Sequence, residues 1–297
     1  MKIALITPWE NAWIPLYRAA FERRGHEFIV CTRAAPSDSD VVLHGWAAGT
    51  PPVKGARNIV FLRRYELFDG GLERIDWAHI DDLICVNSWI RDAAQTILKE
   101  KGVSVPVHLI FNAVDESDWT YAVRKPGKKI GMACFIHVKK NLPLAIQILA
   151  ALPQEYELHI AGGVQSGEVA LYMNHIAASL GKTLHIYEQV PSEAMDKWWD
   201  QMNYCLSTSY TEGNPNNVNE AMAKGIKPVV HNWVGALDQY APWTFNSVQE
   251  AVSMIVSDDY DSPAYLARVR ERFSLANIEK VVDMALEPVA RAQAVAA

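Results

Sequence analysis

From its first residue the chain alternates short apolar runs with stretches in which apolar residues recur every third or fourth position. KIALITP predicts a strand, WIPLYRAAFERRGH a helix ending near Gly25, and EFIVCT the next strand. SDVVLHGW, ARNIVFLRR, DDLICVNS and PVHLIFNA continue the strands, with IRDAAQTILKEKG as the helix before the last of them. A polar connector, Lys125-Pro126-Gly127-Lys128-Lys129, then precedes KIGMACFI, where the pattern restarts. There NLPLAIQILAAL, EVALYMNHIAASLG, SEAMDKWWDQM (capped by Ser192) and NNVNEAMAKG read as helices. YELHIAG, LHIYEQV, YCLSTS and KPVVHN read as the strands between them, and residues 263–290 as terminal helices. Strands alternating with helices join by right-handed crossovers into parallel sheets. The expected fold class is therefore α/β, with two parallel-sheet domains joined near residues 119–128.

Length and charge sharpen this picture. At 297 residues the chain exceeds one ordinary domain. Its net charge of -6 offers no general electrostatic footprint for nucleic acid. No run of 18 apolar residues occurs, and the apolar part of MKIALITPWENAW is too short for a signal peptide, so a cytoplasmic protein is expected, with peripheral membrane contact and oligomeric state left open. Cys31, Cys85, Cys134 and Cys205 stand singly in apolar runs and read as reduced thiols in buried strands.

Three motifs fail on inspection. GGVQSGE has the glycines of a phosphate-binding loop, but Glu168 and Val169 stand where Lys and Ser or Thr are required, leaving a strand-end turn. No G-x-G-x-x-G follows KIALITP. Asp38-x-Asp40 and Asp259-x-Asp261 match a metal-chelating pair of a kind common in acidic loops, and no metal and no resident cofactor are expected.

The informative stretch is STSYTEGNPNNVNEAMAKGIKPVVHNWVGALDQY, residues 207–240. If a helix starts at Asn216, Glu212 in the loop and Glu220 one turn inside can both approach its N-terminus, where unpaired amides and the helix dipole favour phosphate. Pro215 wastes no donor there, and Gly213 lets backbone approach a ligand. Carboxylates accept hydrogen bonds from neighbouring sugar hydroxyls, so the constellation suits a phosphorylated sugar. Equally, Glu212 reads as a solvated loop residue and Glu220 as the partner of Lys224 on a surface helix.

EGNPNNVNEAMAKGIKPVV resembles the E-x7-E signature of the family 4 retaining glycosyltransferases, with Gly225, Pro228, Gly235 and Asp238 at expected positions. HVKKNLPLAIQIL, LHIAGG and LIFNAVDESDW are similar to further segments of that family. The resemblance implies a GT-B fold, two Rossmann-like domains facing each other across a cleft: an acceptor-side domain over 1–120, a nucleotide-sugar domain over 121–275, and a final helix within 276–297 that packs back on the first. It implies a retaining, metal-independent transfer from a UDP- or GDP-linked sugar to a small-molecule, glycan or lipid-linked acceptor. Glu220 would bind ribose, Glu212 the sugar, and Lys140 the diphosphate. Gly213, Asn214, Pro215, Asn216, Asn217, His137, Lys139, Gly162, Gln189 and Val190 would border the donor. The chain departs from the pattern in Phe135, where an Arg is usual, in Ala113, and in a first loop, TPWENAW, without a glycine pair. A sugar-nucleotide epimerase, or a binding protein with a degenerate catalytic site, are the alternative readings.

In the first half, Trp9, Trp13 and Trp46 fall at strand ends, the edge where parallel sheets bind ligands, and can stack on an acceptor or pack in the core. His44 reads as catalytic or as a hydrogen-bonded structural histidine. Arg63, Arg64 and Glu66 occupy the end of the strand that in the family often carries a histidine, and are expected on the acceptor side.

Overall fold

The computed structural model describes residues 1–9, 11 and 13–288. The chain forms two units, one of Met1–Ala113 with the described residues from Leu275 onward, the other Val114–Ser274. The parts of the expected terminal segments beyond residue 288 lie outside the described residues.

In the first unit β1 (Lys2–Ile6), α1 (Ile14–Arg23), β2 (Glu27–Cys31), β3 (Val41–His44), β4 (Arg57–Leu62), β5 (Asp82–Cys85), α2 (Ser88–Glu100) and β6 (Val107–Leu109) follow in order. They build one parallel sheet, β2-β1-β3-β4-β5-β6. β3, β4 and β5 are buried along their whole length, as strands covered on both faces must be. Ile3, Leu5, Leu43 and Ile59 pack with Phe21 of α1 and with Ile278, Val281 and Val282 of the last helix among the described residues, Ala276–Leu286. Leu62, Leu83 and Cys85 on the opposite face meet Ile90, Ala94 and Leu98 of α2. Ion pairs from Arg23 and Arg24 to Glu279 and Asp283 fasten the last helix to α1.

The second unit runs β7 (Lys129–Ala133), α3 (Leu142–Ala151), β8 (Glu157–Ala161), α4 (Gly167–Leu180), β9 (Thr183–Tyr187), α5 (Ser192–Asp200), β10 (Tyr204–Ser207), α6 (Asn216–Ala223), β11 (Lys227–His231), α7 (Ala236–Tyr240), β12 (Thr244–Phe245), α8 (Val248–Val256) and α9 (Ser262–Arg272). Its sheet has the order β12-β11-β10-β7-β8-β9 and is parallel throughout. Ile130, Met132, Leu158 and Ile160 bury one face against Ile146 and Leu149 of α3, Met173 of α4 and Ile255 of α8. On the other face α5 lies directly on β7. A Cβ at Gly131 would stand 2.8 Å from the Trp199 ring and 2.7 Å from Met202, so only glycine admits that approach.

Several local expectations change. Pro191, not Ser192, holds the cap position of α5, and Ser192 is already its first helical residue. Cys31 is half-buried because β2 is an edge strand, and Cys134 lies just beyond β7; all four cysteines are free thiols. α8 and the short β12 were not foreseen from the pattern. GGVQSGE is a turn after β8 whose last two residues, Gly167 and Glu168, open α4.

Lys224, at the end of α6, is fully buried. Its Nζ pairs with Asp196 and, at 3.0 Å, with Asp200, both on α5, and donates to the Thr120 carbonyl at 3.2 Å. The expected i, i+4 pair with Glu220 is therefore not made: the lysine turns inward to clamp α5 and α6 to the connector. Removing one member of a buried ion cluster leaves the rest uncompensated, while partial exposure of the aspartates softens the cost. Lys224→Met should thus lose about 2–3 kcal/mol in urea unfolding followed by tryptophan fluorescence, and an unchanged midpoint would show that the clamp contributes nothing.

Candidate active site

β7 leads to β8 on one side of the second sheet and β10 leads to β11 on the other, so the loops leaving β7 and β10 diverge. Parallel sheets bind ligands at such a switch point, outside the carboxyl ends of the strands. Lys139 and Lys140 follow β7, Glu212 follows β10, and the loops that carry Gly162 (after β8) and Gln189 and Val190 (after β9) end at the same edge.

Glu212 is buried. Its Oε1 accepts from Lys140 Nζ at 2.6 Å and from Ser209 Oγ at 2.8 Å, while Lys139 Nζ stands 3.7 Å from Oε2. Burial by itself would raise its pKa, but the charges of Lys140 and Lys139 outweigh that and hold it below the usual glutamate value. The solvated-loop reading is thereby overturned. The two loops are also tied through backbone: Thr208 Oγ1 donates to the Lys140 carbonyl at 2.7 Å, and the Tyr210 amide to the Lys139 carbonyl. His137 accepts from the Lys139 amide through Nδ1 and so shapes the turn. Asn141 closes the turn in the left-handed region at φ 48°, and α3 starts behind it. Lys139, rather than His137, brings the second positive charge to Glu212.

Behind Glu212 the loop is held by a buried polar network that the sequence did not reveal. Asn214 donates to Gln239 Oε1 and, at 3.3 Å, to Tyr240 Oη, and accepts from Asn219 at 3.3 Å. Gln239 Nε2 donates to the Gly213 carbonyl at 3.0 Å, and Tyr240 Oη to Asn219 at 2.9 Å. Asn214 thus positions the loop. Pro215 takes the cap position of α6 and has no side-chain acceptor to offer it, and Asn216 and Asn217 begin the first turn. Gly162 is required by contact: a Cβ there would lie 2.2 Å from the Cys134 carbonyl oxygen.

Glu220 sits one turn into α6, half-buried, in a setting opposite to that of Glu212. Burial, with no cation beside it, pushes its carboxyl up to about 7. The first carboxylate is held ionised and the second is poised near neutrality.

In the first unit the residues of interest gather at the matching switch, between β1 and β3. Trp9 is 55% exposed and meets Trp46 edge-to-face at 5.3 Å; Trp46 also lies 5.3 Å from Tyr65. Trp13, by contrast, is buried in the core, with Tyr17 against its ring and the Arg63 guanidinium 4.1 Å over it, which leaves no face for stacking on a ligand. Arg63 is buried too, donating to the Gly45 carbonyl at 2.9 Å and to Asn112 at 3.2 Å. Glu66 is fully buried and accepts from the amides of Ala47, Arg63 and Arg64. It shapes the turn after β4 instead of facing a ligand, and only Arg64 of this group is partly exposed. His44 is buried with Nδ1 2.6 Å from Thr50 Oγ1 and Nε2 3.2 Å from Asn58 Oδ1. Burial holds it below the ordinary imidazole value, and both ring nitrogens have partners within the unit, as the structural reading requires.

Asp38 pairs with Lys2, Asp40 accepts from the Lys2 amide, and Asp261 caps α9, so these aspartates have structural work. Among the described residues one cluster of ligand-type side chains comes together, Glu157, His159 and His185. Glu157 opens β8, at the opposite end of the strand from the loop that carries Gly162.

The Glu220 environment has a thermodynamic signature. Its folded pKa is raised from 4.5 to about 7, so the stability associated with its neutral form is present below about 4.5 and is lost as pH rises through 7. Glu220→Gln should therefore match the wild-type thermal midpoint near pH 4.5 and exceed it increasingly up to pH 7, with a plateau above. A pH-independent difference would contradict the assigned environment.

Residues 127–264 match the family described as glycosyl transferases group 1. Comparison with curated proteins finds no sequence relative. Among solved structures, Anabaena HepE in complex with UDP aligns over 96% of this chain and 99% of its own, with a TM-score of 0.77 at 13% identity. Sucrose-phosphate synthase from Thermosynechococcus elongatus aligns over 96% and 98%, at 0.72 and 12% identity. A mutant of S. aureus TarM, in complex with fondaparinux, alpha-GlcNAc-glycerol and UDP, aligns over 84% of this chain at 0.69 and 16% identity; this chain spans 56% of its length. No helix among the described residues is long and apolar enough to cross a membrane. The chain has the fold of the GT-B glycosyltransferases, and the larger part of its second unit matches their group 1.

Proposed function

We propose that the protein is a retaining glycosyltransferase that moves a sugar from a nucleoside-diphosphate sugar to an acceptor hydroxyl without a metal. The observation that carries this reading is the meeting of Lys140, Lys139 and Glu212 at the switch point, just ahead of the start of α6. The UDP bound by the similar HepE and TarM structures supports a UDP-linked donor over a GDP-linked one.

On donor binding, the two lysines and the α6 terminus take up the diphosphate charge, as fixed electrostatics do for a leaving group. Glu212, released from Lys140, accepts from hydroxyls of the transferred sugar. Glu220 accepts from the ribose hydroxyls, which requires its ionised form. As the C1–O bond to the diphosphate breaks, the acceptor oxygen bonds C1 on the same face, and its proton passes to the departing phosphate oxygen. A double displacement needs a carboxylate on each side of the bond, about 5 Å apart; Glu212 and Glu220 flank a single helix start and would both lie on the donor side. Trp9 and Trp46 offer the aromatic surface for the acceptor.

Glu220→Ala should weaken UDP-sugar binding by about tenfold to a hundredfold, the value of one charge-assisted hydrogen bond, while Glu212→Gln should lower kcat with little change in Kd. Calorimetry beside steady-state kinetics separates the two, and equal donor affinities for wild type and Glu220→Ala would remove the ribose assignment. With an alpha-linked donor in EDTA, NMR of the product's anomeric centre should show the alpha configuration. A beta product, or a sugar ester trapped on Glu212, would overturn the same-face mechanism.

A further inference from the structure

The switch-point site does not use the cluster of Glu157, His159 and His185. Glu157 and His159 alternate along β8 and so share one face of the sheet, and the strand register sets His185 of β9 directly beside His159. Leu158, Ile160, Leu184 and Ile186 point the other way, into the core under α3 and α4. The ligand atoms of the three residues all lie within 4.8 Å of one another. His159 is only 3% exposed and is held from both sides, Nε2 at 2.9 Å from Glu157 Oε2 and Nδ1 at 2.9 Å from Tyr187 Oη. The His185 ring stacks on it at 4.6 Å.

We propose that Glu157, His159 and His185 form a binding site for a divalent transition-metal ion of the zinc class, which clips the edge strand β9 to β8. Two imidazoles and one carboxylate, with no thiolate, are the donor set such ions prefer over magnesium or calcium. Zinc bonds to nitrogen and oxygen of about 2.0–2.2 Å place ligand atoms roughly 3–4 Å apart, so the cluster closes on an ion when the His185 ring turns out of its stack on His159 and Glu157 moves in. Exposed His185 and half-buried Glu157 have room for these movements, while His159 stays fixed. The ion replaces the proton now lying between His159 Nε2 and Glu157. The neutral ring changes tautomer as the ion binds: its one proton is carried on Nδ1 instead of Nε2, and Tyr187 Oη turns from donor to acceptor, as the outer partner of a metal-bound histidine. Three protein ligands leave a fourth position for water. Strand β9 has a neighbour on one side only, so a cross-strand clip acts where the sheet is least supported.

The test is calorimetry of the full chain, carrying no affinity tag, with Zn²⁺ alone, and the visible spectrum of the Co²⁺ form. Wild type should bind one equivalent and give the absorption of low-coordinate Co²⁺. His185→Ala and Glu157→Gln should each weaken Zn²⁺ by more than about tenfold, and Tyr187→Phe by about tenfold through the lost outer partner. His175→Ala, an exposed histidine on α4, should change nothing. If His185→Ala fails to fold, Glu157→Gln, at a half-exposed carboxylate, decides. Wild type without stoichiometric Zn²⁺ binding, or Glu157→Gln binding as tightly as wild type, would overturn the site. These readouts involve no sugar donor, so they stand or fall apart from the transferase reading.

Discussion

The contact between Lys140 and Glu212 spans the point at which the second sheet changes direction, and much of the unit can be understood as what makes that contact tolerable. A buried carboxylate is costly unless a cation and hydrogen bonds compensate it. Two consecutive lysines after β7 and the Ser209 hydroxyl after β10 supply that compensation. They reach Glu212 because the Thr208 and Tyr210 links lock the two loops together. The loops in turn rest on Gly162 giving way to the Cys134 carbonyl, and on the asparagine, glutamine and tyrosine network behind Gly213. Such a network holds only when each member finds its partner, which makes the loop a rigid part of the scaffold.

The two glutamates show how environment divides identical side chains. One is buried among cations and stays charged; the other is half-buried without one and is held near neutrality. Residues eight apart on one loop and helix start are thereby set to titrate in different ranges. Pairs whose environments drive their pKa values apart are characteristic of functional sites.

Element type and order were legible in the sequence because buried parallel strands read as apolar runs and the helices as periodic stretches. In the Glu212 to Glu220 segment the helix start at Asn216 was legible because glycine, proline and asparagine mark a loop that ends where a helix begins. Relations between distant segments were not. Trp13, Arg63, Glu66 and His44 fall at the ligand-binding edge of their sheet, yet each is spent on internal contacts that depend on Asn112, Ala47 or Asn58, which no local pattern connects to them. Lys224 looked like a surface partner for Glu220, but its direction was set by Asp196 and Asp200 on another helix. Gln239 and Tyr240 carried no signal beyond standing at the end of the same stretch.

The return of the last helix to the first unit affects the order in which the protein can be completed. The second unit is one continuous segment, so a growing chain holds all of its strands while the first unit still lacks Ile278, Val281 and Val282. During that interval the apolar face formed by Ile3, Leu5 and Leu43 has no cover from the C-terminal end, and exposed apolar surface of this kind is what draws chaperones and aggregation. The helix that covers this face can therefore be added only after residues 114–274 have been made.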